Sequence, residues 1–269
     1  MNLAFRKKLL IALVAPLLSF GIVSCNDDDD NPNPTNPPTG TNSYAATINM
    51  KQMANGIAVE LNTPGKPYSN AKGQSFNISR LRYLISNLSF NRADGSSFVI
   101  DGYHFVDITD TASFKYKPNT KVPEGNYTSI SFTFGFDEND NNSGAYPDLN
   151  TANWGWPVML GGGYHFMQLE GEYDSVGTSK FFATHMGTAR NNMVTPPVTT
   201  INHFTAMPTN SSINVGSDFS FDIVMNVEQW YEDPYEWDFN IWNTMIMPNY
   251  NAQLKLNENG PSVFTIMNN

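Results

Sequence analysis

The stretch Leu81-Arg-Tyr-Leu-Ile-Ser-Asn-Leu-Ser-Phe90 decides the fold class, because apolar and polar side chains alternate along it in the manner of a half-buried β-strand. Six further stretches carry the same pattern: Ile57–Leu61, Phe105–Ile108, Ser129–Phe136, Tyr164–Leu169, Phe219–Met225 and Asn251–Leu256. A helical period is weak throughout, and only the segment near Glu228–Trp230 and the last residues are candidates for a short helix. Strands at this spacing predict an antiparallel sandwich or barrel, and we expect an all-β, antiparallel β-sandwich.

Two long connections interrupt the predicted strands. Residues 137–156 are rich in Asp, Asn and Gly, and residues 185–214 are rich in Thr, Asn and Pro. Loops of this length in a compact domain are usually functional, so we expect long functional loops. The segment Asp137–Gly144 offers oxygen atoms that suit Ca²⁺, although it departs from the EF-hand spacing. A solvated turn rich in Asx residues is the alternative.

The N-terminal region predicts export and lipidation. Residues 1–24 combine a short cationic stretch with an apolar run, the pattern of a secretory signal peptide, and a retained membrane anchor is the alternative. The sequence Ile22-Val-Ser-Cys25 resembles the lipobox of bacterial lipoproteins, so we expect lipid on Cys25. Residues 25–42 have no large apolar side chain and predict a disordered tether. One domain should then occupy residues 43–269.

The export signals also bear on location. The aspartates that follow Cys25 resemble the surface-export signal of Bacteroidetes-type lipoproteins, and a merely solvated acidic spacer is the alternative. The expected location is therefore the outer membrane, the cell surface or the periplasm, with a lipid anchor.

The charge and the missing motifs exclude several classes of function. Removal of residues 1–24 leaves 12 basic and 25 acidic side chains, a formal net charge of −13. Such a surface repels phosphate backbones, so we expect no nucleic-acid partner. The sequence has no P-loop, no G-x-S-x-G and no H-E-x-x-H motif, and we expect a protein that is not an enzyme.

Metal binding would depend on imidazole. Cys25 is the only cysteine, which excludes a cluster of thiolates, and four histidines remain as transition-metal ligands: His104, His165, His185 and His203. Methionines flank two of them, at Met159, Met167, Met186 and Met193. These thioethers could either support copper binding or fill an irregular core.

Five motifs occur in an order that resembles the MbnP-like family, the methanobactin-associated periplasmic and surface copper-binding proteins. The motifs are Leu81-Arg-Tyr-Leu-Ile-Ser-Asn-Leu88, the segment Gly125–Asp137, Trp154-Gly-Trp156, Gly163-Tyr-His-Phe-Met-Gln-Leu-Glu-Gly171 and Thr184-His-Met-Gly187. The resemblance covers roughly residues 46–260.

The resemblance implies copper bound through histidines. His185 matches the family's histidine before a glycine, and His165 lies within the Gly-Tyr block. His203 is expected as a third ligand from its position at the far end of the loop that begins at His185, and not from the resemblance. Trp154 and Trp156 match a tryptophan pair expected beside the metal. In some family members a dihaem partner of the cytochrome c peroxidase type oxidises a tryptophan to kynurenine, which contributes to the copper site. The implied role is copper acquisition or handling.

The segment Trp230-Tyr-Glu-Asp-Pro-Tyr-Glu-Trp237, followed by Trp242, supports an alternative function. Exposed aromatic platforms on β-sandwiches bind sugars, so the chain could instead be a surface carbohydrate-binding lipoprotein. Burial of these rings against the sheet would argue against sugar binding.

Overall fold

The structure is a computed structural model that describes residues 42–269. The predicted signal peptide, Cys25 and all of the tether except Asn42 lie outside the described residues. Within residues 42–269, none of the helices has the length and apolarity that a membrane crossing requires.

Strands dominate the described chain, which confirms the all-β prediction. The strands are β1 Ser43–Tyr44, β2 Ala46–Ala54, β3 Ile57–Ala58, β4 Tyr68–Ser69, β5 Ser75–Phe76, β6 Arg80–Asn91, β7 Ser97–Asp107, β8 Lys115–Tyr116, β9 Val122–Pro123, β10 Gly125–Tyr127, β11 Ser129–Phe134, β12 Met167–Ser175, β13 Thr178–Met186, β14 Ala189–Asn191, β15 Val198–Thr200, β16 Phe204–Ala206, β17 Ile213–Val215, β18 Phe219–Asn226 and β19 Phe264–Asn268. Two α-helices, α1 Pro147–Thr151 and α2 Tyr250–Asn259, accompany 3₁₀ turns at Thr111–Phe114, Val158–Leu160, Val227–Tyr231 and Gly260–Ser262.

Two sheets form the body of the fold. The larger sheet has the order β16-β11-β6-β12-β5-β4, with β7 paired to β6 and β13 paired to β12. The smaller sheet has the order β19-β18-β2-β3, with β8 paired to β2. Among the named strands of residues 42–269, pairing is antiparallel except between β2 and β18, which run parallel.

The two sheets pack face to face through aromatic side chains. Phe90 of β6 contacts Phe221 of β18 with ring centroids 6.2 Å apart, and Phe132 of β11 contacts Phe264 of β19 at 5.1 Å. These rings are buried, and burying an aromatic side chain is one of the largest single contributions to a hydrophobic core. The contacts across the sheets identify the fold as a β-sandwich.

Strand β6 positions the two halves of the larger sheet. One edge of β6 pairs with β12 through Arg80–Tyr83 and with β11 through Ile85–Asn91, while the other edge pairs with β7. The chain therefore leaves β11 and returns in β12 along the same edge of β6. Residues 135–166, which join β11 to β12, emerge at the middle of the sheet and carry both tryptophans of the predicted tryptophan pair.

Several details of the predicted secondary structure are wrong or incomplete. Of the predicted strand Tyr164–Leu169, only Met167–Leu169 belong to a strand, β12. The stretch Asn251–Leu256 is part of helix α2, not a strand, and the last residues form β19, not a helix. Asn249 caps the N-terminus of helix α2, because its side chain accepts a hydrogen bond from the Ala252 amide at 3.0 Å. The buried residues Ala252, Leu256 and Asn259 then recur at helical spacing.

Most of the stretch Ile57–Leu61 also departs from a half-buried strand. Only Ile57 and Ala58 form β3, and both are exposed. The helix predicted near Glu228–Trp230 is confirmed as a 3₁₀ turn.

Candidate metal centre

A row of polar side chains crosses the outer face of the larger sheet. Arg82 of β6 lies opposite Gln168 of β12, which lies opposite His185 of β13. Side chains alternate along strands, so the neighbours Leu169 and Thr184 face the core, where they are buried. His185 therefore points away from the core, towards the segment that covers this face.

That covering segment brings Trp154 and Trp156 against His165. The His165 amide donates to the Trp154 carbonyl at 2.9 Å, and the Trp156 amide donates to the Gly163 carbonyl at 2.9 Å. Residues 154–156 and 163–165, the two ends of the turn that they enclose, thus lie side by side. The Trp154 and Trp156 rings lie 5.3 Å and 4.9 Å from the His165 ring.

The Asx-rich loop supports this turn. Asn141 accepts from the Tyr164 amide at 2.9 Å, and Ser143 accepts from the Gly163 amide at 2.7 Å. Gly163 has a φ of 84°, and a Cβ there would overlap the Asn141 side chain. Asp137 accepts from the amides of Asn139 and Asp140, as in a solvated Asx turn. The loop therefore acts as a scaffold for His165, which the sequence interpretation missed.

His165 and His185 meet at this site. Their ring centroids lie 5.4 Å apart at an interplanar angle of 74°. Two imidazoles on one ion, each about 2 Å from the metal and at a tetrahedral angle, would have centroids roughly 5 Å apart. The separation therefore suits a shared ion.

The hydrogen bonds of the two histidines leave one nitrogen free on each ring. Nδ1 of His165 lies 3.1 Å from the Trp154 carbonyl oxygen, and Nε2 of His185 lies 2.8 Å from Oε1 of Glu170. Within residues 42–269, no second hydrogen bond of standard geometry engages either ring, and the nearby backbone of Gly155 acts to raise the pKa of His165. Histidines that bind metals usually donate their other N–H to a carboxylate or a carbonyl in this way. Glu170 is a residue that the sequence interpretation did not single out.

The pKa values of His165 and Glu170 are both lowered, which favours the binding of a cation at this site. Burial is the main cause that lowers the pKa of His165 to about 4, with smaller contributions in the same direction from the nearby His185 and Arg82, so this imidazole is neutral at pH 7. The pKa of Glu170 is lowered, chiefly by its hydrogen bond with His185 and also by the charge of Arg80. A neutral imidazole is the form that binds a metal.

Arg82 packs against Trp154, one of the two tryptophans that line the site. Its guanidinium carbon lies 5.0 Å from the Phe105 ring centroid and 5.1 Å from that of Trp154. The same guanidinium forms an ion pair with Asp107 at 3.0 Å and donates to the Ala152 carbonyl at 3.1 Å. Sequence patterns did not reveal Arg82 as part of the site, because it is brought there by pairing between distant strands.

Trp156 closes the site from the other side. Its Nε1 donates to the Leu160 carbonyl at 3.2 Å. A Cβ at Gly187 would lie 2.6 Å from the Trp156 ring, so the ring can occupy this position only because residue 187 is glycine.

His203 stands apart from the other two predicted ligands. It lies in the loop between β15 and β16, where its carbonyl accepts from Asn257 at 2.9 Å. No ring contact joins it to His165 or His185, and residues 42–269 contain no group of three or more His, Cys, Asp or Glu side chains placed to hold a metal ion. Of the three predicted ligands, the structure therefore brings His165 and His185 together and leaves His203 outside this pair.

The methionines do not complete the site. Met167 and Met186 are fully buried in the core between the sheets, and Met186 faces away from its neighbour His185. Met159 and Met193 are instead largely exposed, at 77% and 94%. The core-filling interpretation holds for the buried pair.

His104 is packed as a structural residue. Its ring stacks on Tyr116 at 4.6 Å, and Nε2 lies 2.7 Å from the Ser113 carbonyl oxygen. Burial lowers its pKa, so the ring is neutral at pH 7. The stacking on Tyr116 and the hydrogen bond with Ser113 account for the position of His104 without a metal.

The aromatic segment after β18 forms no sugar platform. Trp230, Tyr231 and Trp237 are fully buried, and Trp242 is half-buried. The Trp237 and Trp242 rings are tilted by 49°, so they offer no coplanar pair. This burial argues against the carbohydrate-binding alternative.

Comparison with known proteins identifies related chains. The family model described as MbnP matches residues 43–248. Among solved structures, MbnP from Methylosinus trichosporium is similar, with a TM-score of 0.50, 13% identity, and coverage of 84% of this chain and 99% of that chain. At this identity the likeness concerns the fold alone. A comparison with curated proteins found no match.

Proposed function

Because the chain belongs to the MbnP family, we propose that it is a non-catalytic, extracytoplasmic protein that binds copper between His165 and His185. The family is associated with methanobactin and copper handling. The observation that carries the proposal is the pair of imidazoles 5.4 Å apart, each with one nitrogen held by a protein acceptor and the other free.

The donor set favours copper over other metals. Calcium and magnesium require oxygen ligands, and structural zinc sites almost always have four protein ligands. Cu(I) accepts a low coordination number and binds imidazole well. Two imidazoles in a largely buried site therefore suit Cu(I), since a monovalent ion costs less to desolvate there than a divalent one. His165 and His185 would hold the ion, and Trp154 and Trp156 would exclude water from it.

A titration of the metal-free protein with Cu(I) and with Cu(II) tests this function. We expect one Cu(I) per chain, bound more tightly than Cu(II). His165→Ala and His185→Ala should each weaken Cu(I) binding by more than about a hundredfold, because loss of a residue that merely supports a ligand already costs 10–100-fold. Affinities would be measured by competition with a chromophoric Cu(I) chelator.

The remaining histidines provide matched controls for the titration. His104→Ala and His203→Ala remove one imidazole each outside the proposed site, and both should leave the Cu(I) affinity unchanged. A wild-type protein that binds no copper, or a His203→Ala variant that loses binding as His185→Ala does, would contradict the proposal.

We also propose a lipid anchor on Cys25, supported by the signal-like residues 1–24 and the lipobox-like sequence that ends at Cys25. The expected result is that Cys25→Ala abolishes incorporation of labelled fatty acid and moves the protein from the membrane fraction to the soluble fraction. Retention of the variant in the membrane fraction would contradict the anchor.

The positions of the two tryptophans support a further part of the proposed role. Both rings contact His165, so oxidation of either ring would change the surroundings of the ion. We propose a dihaem peroxidase-type partner that uses two equivalents of hydrogen peroxide to oxidise Trp154 or Trp156 to N-formylkynurenine with release of two waters, after which hydrolysis releases formate and leaves kynurenine. Intact-mass measurement of protein produced with and without such a partner tests this step, and an unchanged mass would contradict it.

A further inference from the structure

The carboxylate of Glu170 contacts both the candidate ligand His185 and the guanidinium of Arg80. The carboxylate lies on β12, and its Oε1 accepts from Nη1 of Arg80 at 2.9 Å while lying 2.8 Å from Nε2 of His185. Only 16% of the Glu170 side chain is exposed, and 15% of that of His185. Strand pairing places both partners near Glu170, because Arg80 lies opposite Glu170 across β6 and β12, and His185 lies opposite Gln168, two residues away on the same face of β12.

This arrangement determines which nitrogen of His185 carries the proton. A neutral imidazole has one N–H, and an ionised carboxylate can only accept hydrogen bonds. The Glu170 oxygen that faces His185 already accepts from Nη1 of Arg80, so the proton of a neutral His185 must lie on Nε2, between the ring and the carboxylate. The lone pair of His185 is then on Nδ1.

His165 has the opposite arrangement. Its Nδ1 lies 3.1 Å from the Trp154 carbonyl oxygen, which also can only accept. The proton of His165 therefore lies on Nδ1, and its lone pair is on Nε2. The two rings offer different nitrogens, and the difference arises from different acceptors.

We propose that Glu170, itself held by Arg80, is a positioning residue that fixes His185 as the Nε2–H tautomer and so presents Nδ1 to the copper ion. This inference rests on the proposed function at His165 and His185. It adds that copper is bound by Nε2 of His165 and by Nδ1 of His185. The hydrogen bond from His185 to Glu170 is the cause of this difference.

The tautomer can be measured in the metal-free protein. Long-range ¹H–¹⁵N spectra of the imidazoles at pH 8 should show His185 as the Nε2–H form in the wild type. Glu170→Ala should convert it to a mixture of both tautomers. Glu170→Gln should lie nearer the wild type, because the amide oxygen can still accept from Nε2. A wild-type His185 that carries its proton on Nδ1 would overturn the proposal.

Copper affinity gives the second measurement. Glu170→Ala should weaken Cu(I) binding by about 10–100-fold, the usual loss for a residue that orients a ligand, with partial recovery in Glu170→Gln. The matched control is Glu172→Ala, which removes an exposed carboxylate two residues along the same strand and should change neither the tautomer nor the affinity. An affinity unchanged in Glu170→Ala would overturn the proposal, as would a loss as large as that of His185→Ala, since Glu170 would then be a ligand.

The two measurements separate this inference from the proposed function. If the wild type binds no copper, the proposed function fails, while the tautomers of the metal-free protein still report whether Glu170 orients His185. If copper binds at both histidines but Glu170→Ala leaves the tautomer of His185 unchanged, the proposed function stands and the role of Glu170 is refuted.

Discussion

Replacing Gly171 with alanine is expected to lower the free energy of unfolding by about 3 kcal/mol or more, the upper end of the cost of overpacking a core. Gly171 lies in β12 opposite Phe182, and a Cβ there would overlap the carbonyl oxygen of Asn77 and lie 2.9 Å from the Phe182 ring. The Asn77 backbone cannot withdraw freely, because its amide donates to the Glu172 carbonyl at 2.9 Å. One methyl group therefore forces the backbone of the sheet to move.

Urea unfolding followed by tryptophan fluorescence would measure this loss. Gly216→Ala is the control, because Gly216 has no atom within 4 Å of the added Cβ and its backbone has no unusual φ. Its stability should stay within about 0.5 kcal/mol of the wild type. Equal stability of Gly171→Ala and Gly216→Ala would show that the sheet yields at Asn77 without cost.

Truncation of Trp154 to alanine is expected to cost about 3–5 kcal/mol in the metal-free protein, the range for large aromatic side chains removed from a core. Trp154 is fully buried, and its ring contacts Phe105 at 4.8 Å, His165 at 5.3 Å and the guanidinium of Arg82. Its removal leaves a cavity and exposes Arg82 and His165 to water. The same urea titration would measure the loss.

Trp242→Ala is the matched control for this truncation. Trp242 is half-buried, and the bond it accepts from Trp237 uses its main-chain carbonyl, which remains in the variant. Its truncation should therefore cost less than that of Trp154. A Trp154→Ala variant as stable as Trp242→Ala would mean that the Trp154 side chain contributes little to the stability of the fold.

Local patterns predicted the strands well wherever one face is buried. Leu81–Phe90 and Phe219–Met225 both lie within strands of the structure, and the apolar side chains that alternate along them face the core between the sheets. The stretch Asn251–Leu256 was misread because Leu254 and Leu256 are two residues apart, which mimics a strand. The buried residues of α2 instead follow the spacing of Ala252, Leu256 and Asn259.

The candidate site was only partly predictable for a similar reason. His165 and His185 stand out in the sequence as histidines beside glycines, and the structure brings their rings together. Arg82 and Glu170 join them only through the register between β6 and β12, which no local pattern encodes. His203 was grouped with the others because it is a histidine at the far end of the loop that begins at His185, and the structure shows no ring contact between it and either of them.

The parallel pairing of β2 with β18 ties the first long strand to one of the last. Asn49 lies opposite Asp222, 173 positions later in the chain, and β19 extends the same sheet to Asn268. During synthesis, the inner face of the larger sheet stays uncovered until nearly the whole chain has been made. Closure of so long a loop slows folding, since its entropy is lost before the contacts form. The smaller sheet can therefore be completed only when the residues up to Asn268 are available, which makes closure of the sandwich a late step in folding.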